Sequence, residues 1–202
     1  MIASYSIPQA VSKIMAERIA FKRYRDAQRI FKGALLYAVI VGGIVAIFCV
    51  VGAPILIPDS MANARLALQF LSPTIFLSGI LGVFRGYFQA YRNMLPTSLS
   101  QIFEQIAVAV VALVMANFMV NYFADADTDV LRSWSAAGAT MGTGAGVATA
   151  LLFMLLVYWV NRKIIQKKIQ RDTVSVNESY SSVMKNIILI VSPIILSSFL
   201  YN

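Results

Sequence analysis

The sequence predicts an all-α fold, a polytopic transmembrane helical bundle, and three observations carry that expectation. First, 59% of the 202 residues are hydrophobic, only 13% are charged, and mean hydropathy is +0.73. A soluble domain holds roughly 45–50% apolar and about 25% charged residues. Second, four runs reach the roughly 20 mostly apolar residues that a spanning helix needs. Third, Lys and Arg gather in alternate connections between those runs, the pattern of cytoplasmic loops. The composition excludes a disordered chain. His is absent, and the single Cys, Cys49, lies inside an apolar run. That excludes a disulfide framework, a Cys/His zinc site and a His-based triad. No metal, no cofactor and no enzyme activity are expected.

The elements follow in order. Residues 1–17 are apolar but too short to span, and read as the inner half of a span that starts upstream. No charged region precedes them and no small-residue cleavage site follows, so they are not a signal peptide. The basic stretch 18–32 carries an apolar rhythm (Ile19, Phe21, Tyr24, Ile30, Phe31). It is expected to form an amphipathic helix on anionic lipid. Residues 33–58 carry no charge over 26 positions and form the first complete span. The next two spans, 66–91 and 97–123, are interrupted only by Arg85 and Glu104, and the loop 92–96 joins them. Residues 133–160 carry no charge at all. The stretch 161–186 reads as a basic, partly helical linker. The last run, 187–202, is a second incomplete span. Together these make one transmembrane domain over 1–202, expected to be an incomplete lobe of a longer transporter.

Charge orients the bundle. Of the 17 Lys and Arg, 15 lie in or beside the segments 1–32, 85–96 and 161–186. The other connections hold only Arg65 and Arg132, together with Asp59, Asp125, Asp127 and Asp129. The rule that cytoplasmic loops collect basic residues places 18–32, 92–96 and 161–186 in the cytoplasm. The net charge of +8 therefore sets orientation and engages membrane lipids. It needs no nucleic acid. The three Asp near 125–129 read as a solvated outer loop rather than a metal site.

Arg85 and Glu104 are the sharpest features, because a charge within a span is costly and faces a cavity or a partner. By helical rise Arg85 lies about 10 Å and Glu104 about 12 Å into the membrane. One short turn separates their helices, so a facing ion pair is expected. It either ties the hairpin together or forms a polar cavity wall, with Arg85 meeting an anion and Glu104 titrating or binding a cation. Gln89 stands four residues after Arg85, and Gln101 and Gln105 are spaced likewise, so a polar stripe runs along an otherwise apolar helix. Such a stripe should face protein or water. Lys13 and Glu17 are also four apart, either an interfacial pair with Lys13 snorkelling or part of the site. Gly138, Gly142 and Gly146 repeat every four residues, the pattern that lets spanning helices approach closely.

Three stretches carry a resemblance: SIPQAVSKIMAE (6–17), FRGYFQAYRNMLPTSLSQIFEQI (84–106) and AAGATMGTGAGVATALLF (136–153). Together they resemble the polysaccharide biosynthesis or stage V sporulation protein B group of Gram-positive bacteria. That group is close to the MurJ lipid II flippases, within the multidrug/oligosaccharidyl-lipid/polysaccharide exporter superfamily. The resemblance implies a partial N-terminal lobe of a two-lobe, MATE-like transporter in the cytoplasmic membrane. It implies alternating access and a lipid-linked sugar pyrophosphate as substrate, driven by H+, Na+ or the membrane potential. Arg85, in the FRGYFQ stretch, is the residue it assigns to the pyrophosphate, and Glu104 lies in the matching EQ pair. The group often has Arg four residues after that Glu, where this chain has Val108. Two alternatives remain: a multidrug/cation antiporter of the same superfamily, and a non-functional truncated product.

Overall fold

The computed structural model describes residues 2–57, 63–122 and 128–175, and the isolated positions 182, 185, 188 and 189. Among these residues the chain forms five long helices and no strand: α1 (Ile2–Ala20), α2 (Tyr24–Leu56), α3 (Asn63–Ala90), α4 (Leu95–Tyr122) and α5 (Thr128–Gln170). Four of them, α2 to α5, are long and apolar enough to cross a membrane. Their side chains agree with a lipid surround. Ile55 is 89% exposed, Leu113 73% and Val51 72%. In water that much exposed apolar surface would be costly, at roughly 25 cal/mol per Å²; in hydrocarbon it is not. The expected run 187–202 lies outside the described residues, apart from Ile188 and Leu189, which are helical and exposed.

The helices are longer than the apolar runs at their basic ends. The expected amphipathic helix over 18–32 is not formed. A turn at residues 21–23 divides it, so that α1 ends at Ala20 and α2 starts at Tyr24. The reason is local. Lys22 takes φ 58, its N–H donates to Ile19 O at 2.9 Å, and Arg23 N–H donates to Arg18 O at 2.9 Å. These are the two hydrogen bonds of a Schellman cap. The reversed chain then buries Ile30 and Phe31 in the protein's own core, at 1% and 2% exposure, instead of in lipid. The α3–α4 turn repeats the device, with Arg92 at φ 59 and bonds from Arg92 to Gln89 and from Asn93 to Phe88. Cationic residues at these caps complement the negative ends of the helix dipoles.

At the other basic end, α5 continues through the first ten residues of the expected linker. Its 43 residues make about 65 Å of helix, twice the roughly 30 Å of a hydrocarbon core. The charged turns 162–171 therefore extend past the apolar part of that helix.

The chain forms two compact units: Met1–Ile40 with Gly79–Ser98 and Phe153–Asn202, and Val41–Ser78 with Leu99–Leu152. In the first, α1 crosses α3 at two glycines. Pro8 O lies 2.7 Å and Val11 Cβ 2.9 Å from where a Cβ on Gly86 would stand, and Ile7 and Pro8 lie on Gly82. On another side of α3, rings from α2, α3 and α5 meet: Phe31 packs 5.4 Å from Phe84, 4.5 Å from Tyr87 and 5.5 Å from Tyr158. Gln28 donates to the Tyr158 hydroxyl at 3.1 Å. In the second unit, α5 lies on α4 through Gly138, Gly142 and Gly146, which meet Met115, Ala112 and Val108 in turn. This is the close approach that the four-residue glycine spacing predicts. Phe70 packs on Trp134 at 6.4 Å, and Gly144 faces the Thr74 hydroxyl.

Candidate functional site

Arg85 sits in the most enclosed part of the first unit. Residues 81–88 are buried without a break. A single helix hides every face only if neighbours lie all round it, and the sequence supplies them: Gly82 and Gly86 admit α1, while Phe84 and Tyr87 meet the α2 and α5 rings. Arg85 is 7% exposed and is the only buried Lys or Arg among the described side chains. A buried cation is stable only with compensating partners, and Arg85 is engaged. Its backbone carbonyl accepts a long hydrogen bond, 3.5 Å, from the buried Thr97 hydroxyl. That contact ties the first turn of α4 to α3. Gln89, one turn on, is half-buried, and its carbonyl accepts the Arg92 cap bond.

The remaining candidates on the first unit lie on α1. Lys13 and Glu17 are both exposed. Glu17 accepts from its neighbour Arg18 at 3.1 Å. On the second unit, Glu104 is half-buried on α4, and its carbonyl lies at the Gly146 crossing. Gln101 and Gln105 are exposed. Val108, where the resemblance favours Arg, is the residue against which Gly146 packs. Among the described residues no group of His, Cys, Asp and Glu could hold a metal ion.

Two carboxylates escaped sequence reasoning. Asp26 is fully buried, and its Oδ2 accepts from Arg23 Nε at 2.8 Å and lies 2.7 Å from Nη2. Asp172, just past α5, accepts the Arg25 N–H at 2.8 Å. It thus supplies, from a distant segment, the N-terminal cap of α2, where a helix dipole favours negative charge. It also accepts from Val174 N–H, Ser175 N–H and the Ser175 hydroxyl. The one signal available was that each acid stands in a stretch otherwise rich in Lys and Arg.

Burial would raise the Asp172 pKa. The hydrogen bonds from Ser175, Arg25 and Val174 outweigh it and hold the carboxyl down to about 2. A depressed folded-state value means that the carboxylate's contribution is complete above its unfolded pKa, about 3.9, and is lost as pH falls through the folded value. Asp172→Ala should therefore lower unfolding stability by about 1–2 kcal/mol at neutral pH. The difference from wild type should shrink below pH 4 in detergent melts. A deficit that does not change with pH would contradict the cap.

Comparison with known proteins finds no family model that matches the chain, and no curated protein or solved structure that matches it.

Proposed function

We propose that this chain works in a membrane flippase or exporter that moves a lipid-linked sugar pyrophosphate from the cytoplasmic to the outer leaflet by alternating access. The observation that carries the reading is Arg85: a guanidinium buried in the apolar stretch of a helix long and apolar enough to cross a membrane. An intramembrane charge is retained at a cost and marks a substrate or ion pathway. The guanidinium's planar fork matches phosphate oxygens in a bidentate way. The motif resemblance around FRGYFQ supports the same assignment. In this reading Gln89, one turn from Arg85, hydrogen-bonds the substrate, and Glu104 is the group that takes the coupling H+ or Na+. The basic connections face the cytoplasm, and the membrane is the cell membrane of a Gram-positive bacterium.

The test uses vesicles carrying the chain and a fluorescent polyprenyl-pyrophosphate sugar placed in one leaflet. A membrane-impermeant quencher then reads which leaflet holds the label. The expected result is transfer that exceeds protein-free vesicles and responds to an imposed potential. Transfer equal to protein-free vesicles would overturn the reading. Extrusion of a cationic drug, unaffected by Arg85→Ala, would favour the antiporter instead.

A further inference from the structure

We propose that a second site, in the first unit near the basic end of α5, binds the phosphate of an anionic phospholipid headgroup. The inference rests on the membrane location and not on the transport reading. A cavity of about 220 Å³ lies there, lined by Tyr87, Tyr91, Asn93, Asn161 and Lys168 as its polar groups and by Phe88, Ile164 and Ile165 as its apolar ones. At about 30 Å³ per water that is room for roughly seven waters, enough for a phosphate group.

Three observations point to an anion with an apolar continuation. The first is Lys168. Its ammonium lies 5.3 Å from the Tyr91 ring centroid and 6.0 Å from that of Tyr24, within reach of a cation–π contact. The rings hold the charge beside the cavity. The second is the Tyr87 hydroxyl. Tyr87 is 1% exposed, and its buried oxygen makes no well-formed hydrogen bond in the protein, with only a weak contact to the Tyr91 side chain. A buried hydroxyl so poorly met is costly, so a ligand oxygen at this cavity would be a stronger partner. The third is the surround. No acid lines the cavity. Ile164, Trp159 and Val160 are exposed apolar residues on the same stretch of α5, among the exposed Arg162, Lys163 and Lys167. A basic helix end with exposed apolar side chains suits the boundary of an anionic leaflet. The phosphate would meet Lys168 and the Tyr87 hydroxyl, and the acyl chains would follow Ile164. A free phosphate would use the polar groups alone.

The test measures phospholipid retained by the full chain in neutral detergent, by native mass spectrometry, with phosphatidylglycerol against phosphatidylcholine. One phosphatidylglycerol should be retained per chain. Lys168→Ala should weaken it about tenfold or more, and Tyr87→Phe about fivefold. Tyr87→Phe keeps the ring and every charge, so it separates a built site from diffuse attraction. Lys163→Ala, outside the cavity, should change retention less than either. Equal retention in Tyr87→Phe and wild type would overturn the site. So would loss in Lys163→Ala as large as in Lys168→Ala. Excess inorganic phosphate should leave the lipid bound; displacement by phosphate alone would overturn the lipid assignment in favour of a free anion.

Discussion

If the chain works in translocation of a lipid-linked pyrophosphate as proposed, Arg85→Ala should abolish that translocation and Arg85→Lys should retain part of it. The guanidinium is the only buried Lys or Arg charge among the described side chains. Truncating one partner of a buried, hydrogen-bonded charge pair costs about 2–5 kcal/mol, which converts to about 30-fold or more in affinity for the anion. Lysine keeps the charge but loses the planar fork, so it holds the phosphate as a point charge only. The leaflet assay reads the effect, and unchanged translocation in Arg85→Ala would remove Arg85 from the pathway. A folding readout separates the two roles open to this residue. If Arg85 pairs with Glu104, Arg85→Glu combined with Glu104→Arg recovers thermal stability lost in each single variant. Failure of the double variant to recover would mean that the two do not pair.

Gly142→Leu disrupts the second unit. A Cβ at that position would stand 2.6 Å from Ala112 N and 2.7 Å from Ala112 Cα. Those are backbone atoms of α4 and cannot swing aside as a side-chain tip would, so the helices must separate. Overpacking costs about 1–3 kcal/mol where side chains can yield; here the loss is expected to reach or exceed the top of that range. Gly43→Ala is the control. Its nearest neighbour, the Phe76 ring, lies 4.0 Å away, and alanine favours helix by up to about 1 kcal/mol. Melts in detergent should show Gly142→Leu strongly destabilised and Gly43→Ala neutral or slightly stabilised. Equal stability of the two variants would contradict the packing of Gly142 on Ala112.

The long helices were legible because a spanning helix and a 20-residue apolar run are nearly the same statement. The Gly138, Gly142 and Gly146 contact was legible for a similar reason: small residues every four positions describe a face. What lay hidden depended on partners distant in sequence. The turn at Lys22 carries no glycine, the usual sign of a left-handed cap, so α1 and α2 read as one basic stretch. Residues 161–170 read as linker because charged residues leave an apolar run, although the helix does not stop with it. Gly82 and Gly86 are also four apart, but only two small residues mark that face, and Gly86 falls inside the FRGYFQ stretch beside the more conspicuous Arg85. Arg85 stood out as a charge within a span. That its surroundings bury it on every side required knowing that α1 lies on one face and that Tyr158 of α5 lies near another. Asp172 caps α2 through the N–H of Arg25, 147 residues earlier, a relation no local pattern encodes.

Cysteine accessibility tests the central claim, four spanning helices with their basic connections inside, most directly. Replacing Cys49 by serine gives a background without thiols, since the chain has one Cys. Single cysteines then go to exposed positions at both ends of the helices: Asn93 and Gln170 at the basic ends, Ala64 and Val130 at the others. An impermeant maleimide applied to intact cells should label Ala64→Cys and Val130→Cys at once. It should label Asn93→Cys and Gln170→Cys only after the membrane is permeabilised. Labelling of all four in intact cells, or of the basic-end pair alone, would contradict the account.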